Sequence, residues 1–310
     1  MRRVLSIVLV AAPGAAPAAF DRARCAAPGK YVTRNQTDLL ARAFDGPSFF
    51  DGRWRGDRFE VEPPCELRAG DAFACAAVGK LVNRRSRVQP SSASTTVQKR
   101  PRILVVGDSI SVRQFRDFAG RVKACATTTF VRADRLREKE FDGAARAEAC
   151  GMDALLLNTG AHYPDVREFA KDVREFLRLL NVTCGPRTPV TVFRTTPEGN
   201  PLCNAKMTVR NAGDWESKVW SVLNGSQPVP SDEPQFSRGW HWHLFQRYNA
   251  EAARLVQPYD WITIADVVPM ARLVQGRYDR RSGKALDCLH GSPAVPIYNA
   301  LILNVLDAVL

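Results

Sequence analysis

The chain has 310 residues, 45% apolar and 25% charged, and 44 Lys plus Arg against 32 Asp plus Glu give a formal charge of +12. That length supports one large domain or two smaller ones with real cores, and the composition excludes a disordered chain; without repeats or heptads, solenoids and coiled coils are excluded as well. The basic balance favours polyanions but does not choose among nucleic acid, anionic glycan and anionic membrane.

Arg2 and Arg3 precede an apolar stretch from Val4 to Ala12, and small residues follow at Ala16, Pro17 and Ala18. This is the order of a signal peptide over residues 1–19, because Pro13 and Gly14 interrupt the stretch well short of the roughly 20 residues a membrane span needs. A retained anchor is the weaker reading, and Phe20 after the small residues also allows a second targeting signal for a complex plastid. Eight cysteines, Cys25, Cys65, Cys75, Cys125, Cys150, Cys184, Cys203 and Cys288, show no zinc-like spacing and read as disulfide partners. Sequons at Asn35, Asn181 and Asn224 fit the same lumenal or extracellular setting. The bland alternative is a cytosolic chain with buried thiols and chance sequons, which leaves the N-terminus unexplained.

Residues 20–82, aromatic and punctuated by Gly and Pro, read as a small irregular module pinned by cysteines, with FFDGRW at Phe49 to Trp54, PPC at Pro63 to Cys65 and FAC at Phe73 to Cys75. Residues 83–100, NRRSRVQPSSASTTVQKR, read as a polar linker or loop. Across 101–310, Ile103 to Val106, Thr127 to Val131, Ala154 to Leu157, Val190 to Phe193 and Trp261 to Ala265 are expected as buried strands. Val166, Phe169, Val173, Phe176, Leu177 and Leu180 recur at helical spacing, as do Val295, Tyr298, Leu301, Ile302, Val305, Leu306 and Val309. The alternation predicts a three-layer, doubly wound α/β domain around a mainly parallel five-stranded sheet, flavodoxin-like in type, with its site beyond the carboxyl ends of the strands. Residues 205–255 fit this pattern poorly and read as a long insertion.

In RILVVGDSISVRQF, Arg102 to Phe115, a buried strand turns into a helix whose first turn carries Ser109 beside free helix amides. Two readings fit: a nucleophile, or a helix start that Asp108 or Ser109 merely caps. A nucleophilic serine needs a base, and His290 lies three residues after Asp287 in ALDCLHGSPAV, where a carboxylate can hold the imidazole's tautomer. The plain alternative is a loop histidine with an unrelated aspartate nearby. Asn158 and Gly160 in NTGAHY, together with the Ser109 amide, are candidate oxyanion donors, and Asn158 could equally be a loop cap. His162 is next to the third strand's end. His241 and His243, in GWHWHLF, alternate as if on one face of an extended segment, but without matching carboxylates they read as packing or substrate-facing surface, and no metal is expected.

As an ordered set these segments resemble the SGNH/GDSL superfamily, and within it the PC-esterase branch, which includes the plant trichome birefringence-like polysaccharide O-acetyltransferases and the animal sialic acid O-acetyltransferase. The resemblance covers most of residues 49–310. FFDGRW with PPC and FAC is similar to the family's N-terminal cysteine-bearing module, GDSISVRQF to its GDS block, NTGAHY to its NTG block, VFRTTP to its mid-chain Arg block and DCLH to its DxxH block. The resemblance implies Ser109 as nucleophile, His290 as base, Asp287 as its orienter, and Ser109, Asn158 and Gly160 around the oxyanion, with Arg194 positioning substrate or bracing the site. It also implies an acetyl donor, a glycan or polysaccharide acceptor, and no cofactor.

The sequence departs from the plant pattern at Val112 and Arg113, where those enzymes carry Arg-Asn, which puts a substrate role for Arg113 in doubt. It also departs after DCLH, where GSPAVPIYN lacks their Trp and Cys. The resulting expectation is a monomeric serine-dependent O-acetyltransferase of the secretory pathway, in the Golgi lumen or outside the cell. A carbohydrate O-acetyl esterase and an inactive glycan-binding protein are the alternatives, and nucleic-acid binding is disfavoured by the secretory start.

Overall fold

The computed structural model of the chain describes residues 53–55, 58–60, 70–88, 100–137, 148–199, 215–223, 241–268, 271, 289–290 and 295–310. The expected signal peptide, most of the cysteine module, Cys25, Cys65, Cys203, Cys288, Asp287 and the sequons at Asn35 and Asn224 lie outside the described residues.

Strands β1 (Arg53–Arg55) and β2 (Arg58–Glu60) pair antiparallel as a small ribbon. Helix α1 (Asp71–Val88) follows, with Ala74, Ala77, Val78 and Leu81 buried at helical spacing. The helix runs through residue 83, so the boundary expected there between an irregular module and a polar linker falls within one regular element. The apolar stripe that docks α1 is present in the sequence, but half of it is alanine, so it stands out weakly from its surroundings.

The chain then enters the main sheet through β3 (Arg102–Gly107), α2 (Ser109–Val122), β4 (Thr127–Arg132), β5 (Ala154–Leu157), α3 (Val166–Cys184) and β6 (Val190–Arg194), and completes it with α4 (Phe245–Val256), β7 (Ile262–Ala265) and α5 (Val295–Val309). Five strands pair all-parallel in the order β4-β3-β5-β6-β7. The central strands are continuous apolar runs because both faces are covered. Leu104, Val106, Leu155, Leu157, Phe193 and Ile262 pack on one side with α3 and α4, whereas Ile103, Val105, Ala154, Leu156, Val190 and Val192 pack on the other with α1, α2 and α5. Strand β4 is half-exposed, unlike the buried strand expected, because it is the sheet's edge; Phe130 on it stacks on Phe115 of α2 at 5.1 Å.

Helix α3 opens with Asp165 accepting from the Glu168 N–H at 2.8 Å, an Asp-capped first turn, and its apolar face recurs at the expected residues. Residues 241–255, inside the expected insertion, are instead core: Trp242, Phe245, Tyr248 and Ala252 are fully buried, and α4 packs on α3. Among the described residues two disulfides, Cys75–Cys125 and Cys150–Cys184, tie α1 to the turn after α2 and residue 150 to the end of α3. They fit an oxidising compartment such as the secretory pathway or the cell exterior. Among the described residues, no helix is long and apolar enough to cross a membrane.

The strand order reverses direction between β3 and β5, one neighbour lying to each side of the first parallel strand. In open α/β sheets, the crevice beyond the carboxyl ends at such a reversal is where ligands bind. Ser109 follows β3 and Asn158 to Gly160 follow β5, so both segments singled out by their chemistry open onto this one crevice.

Candidate active site

The turn from β3 into α2 is sterically tight. A Cβ at Gly107 would lie 2.2 Å from Ser111 Oγ and 2.6 Å from Ser111 Cβ, so only glycine lets the helix start this close to the strand. Asp108 is the N-cap of α2: its Oδ1 accepts from the Ile110 N–H at 3.0 Å and its Oδ2 from the Ala161 N–H at 3.4 Å. One carboxylate thereby caps the helix and holds the loop after β5 against it. Since Asp108 does the capping, the Ser109 hydroxyl is left for other partners.

The partner it meets is His290, whose Nε2 lies 2.9 Å from Ser109 Oγ although 181 residues separate the two. Ser109 and His290 are both half-buried, so the pair is reachable from solvent. For the hydroxyl to donate to Nε2, the ring proton must reside on Nδ1. Asp287, assigned from the sequence as the group that orients this ring, lies outside the described residues.

Asn158 is buried, and its amide orientation is fixed by its neighbours. A guanidinium has only donors, so the oxygen must face Arg194. Oδ1 accepts from Arg194 Nη2 and, at 3.1 Å, from Ser111 Oγ. Nδ2 donates to the Arg194 carbonyl at 3.0 Å and to Thr196 Oγ1 at 2.9 Å. Both amide hydrogens are therefore committed inside the protein, and Asn158 serves as a girder between three strand ends instead of pointing a donor at the crevice. Gly160 adopts φ +152°, and a Cβ there would come within 2.8 Å of Thr196 Oγ1. A side chain is excluded on both counts.

Arg194, expected to touch substrate or brace the site, is 2% exposed. Its guanidinium donates to Ser111 Oγ at 3.2 Å and to the Thr195 carbonyl at 3.0 Å, and it lies 5.9 Å from the centre of the Tyr298 ring. Burial lowers its pKa to about 10, opposed by the Asp108 carboxylate. Burial likewise pushes the Asp108 carboxyl above the usual carboxylate range, with Arg194 and His162 pulling the other way. These contacts make Arg194 a brace behind the turn from β3 into α2. Arg113, the other residue expected to face substrate, donates from Nη1 to the His290 carbonyl at 2.8 Å.

His162 is half-buried, with Nε2 3.5 Å from Asp134 Oδ1; burial holds its pKa below the ordinary value, opposed by Asp108 and Asp134. His241 and His243 do not share an extended face. His241 adopts a left-handed conformation (φ 52°) before the turn Trp242–Leu244, and Trp242 between them is buried. Among the described residues, no cluster of His, Cys, Asp or Glu could hold a metal ion.

Sequence reasoning missed Ser111, Thr196, Asn249 and Tyr298. Asn249 of α4 pairs with the backbone of Thr196 in both directions, each bond 2.8 Å, and so clamps the segment after Arg194. Nothing local marks Asn249, because its partner is 53 residues away. Ser111 carried a signal, since it lies two residues beyond Ser109 and on the buried side of α2. No family model matches the chain, and no curated protein is significantly similar to it.

Proposed function

We propose that the protein is a serine-dependent O-acyltransferase that moves acetyl groups onto glycan hydroxyls through an acyl-serine intermediate. The observation that carries this reading is the 2.9 Å contact between Ser109 Oγ and His290 Nε2 at the reversal point of a parallel sheet. Ser109 Oγ bonds to the acyl carbonyl carbon while its proton passes to Nε2. The bond to the donor's leaving group then breaks, and that group takes the proton from His290. In the second half an acceptor hydroxyl gives its proton to His290 and attacks the acyl-serine, and Ser109 leaves with that proton. Asp287 is assigned to hold the Nδ1–H tautomer. The donors for the oxyanion are the backbone N–H groups of Ser109 and Gly160, since Asn158 has committed its own.

The strand order and the order of sequence blocks support placing the chain in the SGNH/GDSL superfamily, PC-esterase branch. Acceptance of a carbohydrate rests on that resemblance, since the basic charge does not choose among polyanions. A second reading, a carbohydrate O-acetyl esterase, is favoured by the half-exposed state of Ser109, which lets water take the place of the sugar hydroxyl. The inactive glycan-binding alternative leaves the Ser109–His290 contact without a use.

The test is turnover of a chromogenic acetyl ester by the wild type and by Ser109→Ala. A fall in kcat of at least about 10³-fold is expected, with an acetyl adduct on the Ser109 peptide after rapid quench. Equal turnover by the two proteins would remove Ser109 from the mechanism. Supplying a glycan acceptor then separates the readings: acetylated glycan identifies the transferase, and acetate alone the esterase.

A further inference from the structure

Helix α2 takes hold of His290 twice. Ser109 and Arg113 are four residues apart and share one face of the helix. The first meets the imidazole, and the second donates a charge-assisted hydrogen bond to the carbonyl of the same residue at 2.8 Å. The chain beyond His290 is tied to α2 again where Asn299 Nδ2 donates to the Gln114 carbonyl at 3.0 Å and to Asp117 Oδ2 at 2.8 Å. The base is therefore brought to the nucleophile's own helix, with backbone and ring held one helical turn apart.

We infer that Arg113 is a positioning residue, which sets the His290 imidazole against Ser109 by fixing the His290 carbonyl and does not itself touch substrate. This inference rests on the reading of Ser109 and His290 as nucleophile and base. The physical reason is the distance sensitivity of proton transfer: a displacement of about 1 Å in the base costs on the order of 10²-fold in rate. A guanidinium suits the task because its planar fork and fixed charge hold one oxygen at a defined distance, whereas an ammonium is a more mobile point charge on a different reach. The chain has this arginine where the resembling plant enzymes carry asparagine, so the device belongs to this sequence.

Two variants separate the hydrogen bond from packing. Arg113→Met keeps an apolar stem and removes the donor, and Arg113→Lys returns a donor with a different reach. With the chromogenic acetyl ester, Arg113→Met is expected to lose about 10- to 100-fold in kcat with KM within about 2-fold, and Arg113→Lys to recover part of the loss. A rise in KM at unchanged kcat would overturn the inference in favour of direct substrate contact, and wild-type values for both would overturn it outright.

A readout independent of turnover keeps the two proposals apart. In the imidazole nitrogen–proton NMR spectrum of the full chain, His290 is expected to give one set of signals in the wild type and exchange-broadened or multiple sets in Arg113→Met. An unchanged His290 spectrum would overturn the positioning role. If the wild type turns over no ester while the His290 signals still change in Arg113→Met, the acyl-serine reading fails and the structural tie stands.

Discussion

Arg194 and Asp108 are both enclosed by protein, and burial drives each toward its uncharged form, the carboxyl upward and the guanidinium downward. Each charge opposes the other's shift, so the two are tolerated together and not apart. Arg194→Met removes one member, strips Asn158 Oδ1 and Ser111 Oγ of a donor, and is expected to cost roughly 3–5 kcal/mol of unfolding free energy, measured by urea denaturation. The pH dependence has a definite sign. Without Arg194 the folded-state pKa of Asp108 rises further above its unfolded value of about 3.8. The folded chain then holds a proton that the unfolded chain releases, so the deficit is smallest near pH 4 and grows as pH rises through the folded-state value. A deficit independent of pH between 4 and 7 would show that Asp108 is insensitive to Arg194.

At the scale of elements, the turn from β3 to α2 concentrates the most consequences in the fewest residues. Gly107→Ala would press a methyl group into Ser111, whose Oγ and Cβ stand 2.2 Å and 2.6 Å from its position. Helix α2 must then shift, and with it Ser109 and the Ser111–Asn158 hydrogen bond. A loss of roughly 1–3 kcal/mol in stability is expected by thermal melting, with a fall in kcat beyond what the unfolded fraction explains. Wild-type melting would mean that the turn has slack the geometry does not show.

The five strands were legible in the sequence to within a residue at most ends, because each central strand is a short apolar run bounded by polar or turn residues, the mark of burial on both faces. Helices α3 and α5 were legible for a similar reason, large apolar side chains at helical spacing. Helices α1 and α4 were not. Half of the buried stripe of α1 is alanine, and α4 begins at Phe245 directly after Trp240 to Leu244, whose Trp/His alternation reads as an extended segment. Ser109 and His290 could be singled out as candidates, although local context left each with a plain structural reading, and the structure brings the two side chains together. The commitment of the Asn158 amide and the Arg113 contact could not be read, because both depend on which atoms face one another across chain separations of 36 and 177 residues.

At the scale of the whole molecule, the two disulfides among the described residues fasten helices α1 and α3 to the segments that lead into β4 and β5. Cys75–Cys125 closes a loop of 50 residues that includes all of β3 and α2. Replacing both cysteines by serine is expected to lower the unfolding free energy by roughly 2–4 kcal/mol, read from a denaturation midpoint at unchanged slope. An unchanged midpoint would mean that α1 is held by its packing alone. That packing is substantial, since α1 meets both α2 and α5, and Lys80 Nζ reaches Asp307 Oδ1 at 2.7 Å.

The same cross-link decides what a protease can accomplish. A single cut at any peptide bond between Cys75 and Cys125 severs the backbone without parting the two pieces, so everything upstream of the scission stays tethered beside the strand that leads to Ser109. A single cut followed by reduction removes that tether, so the fragment pattern on non-reducing and reducing gels reports whether the cross-link is formed.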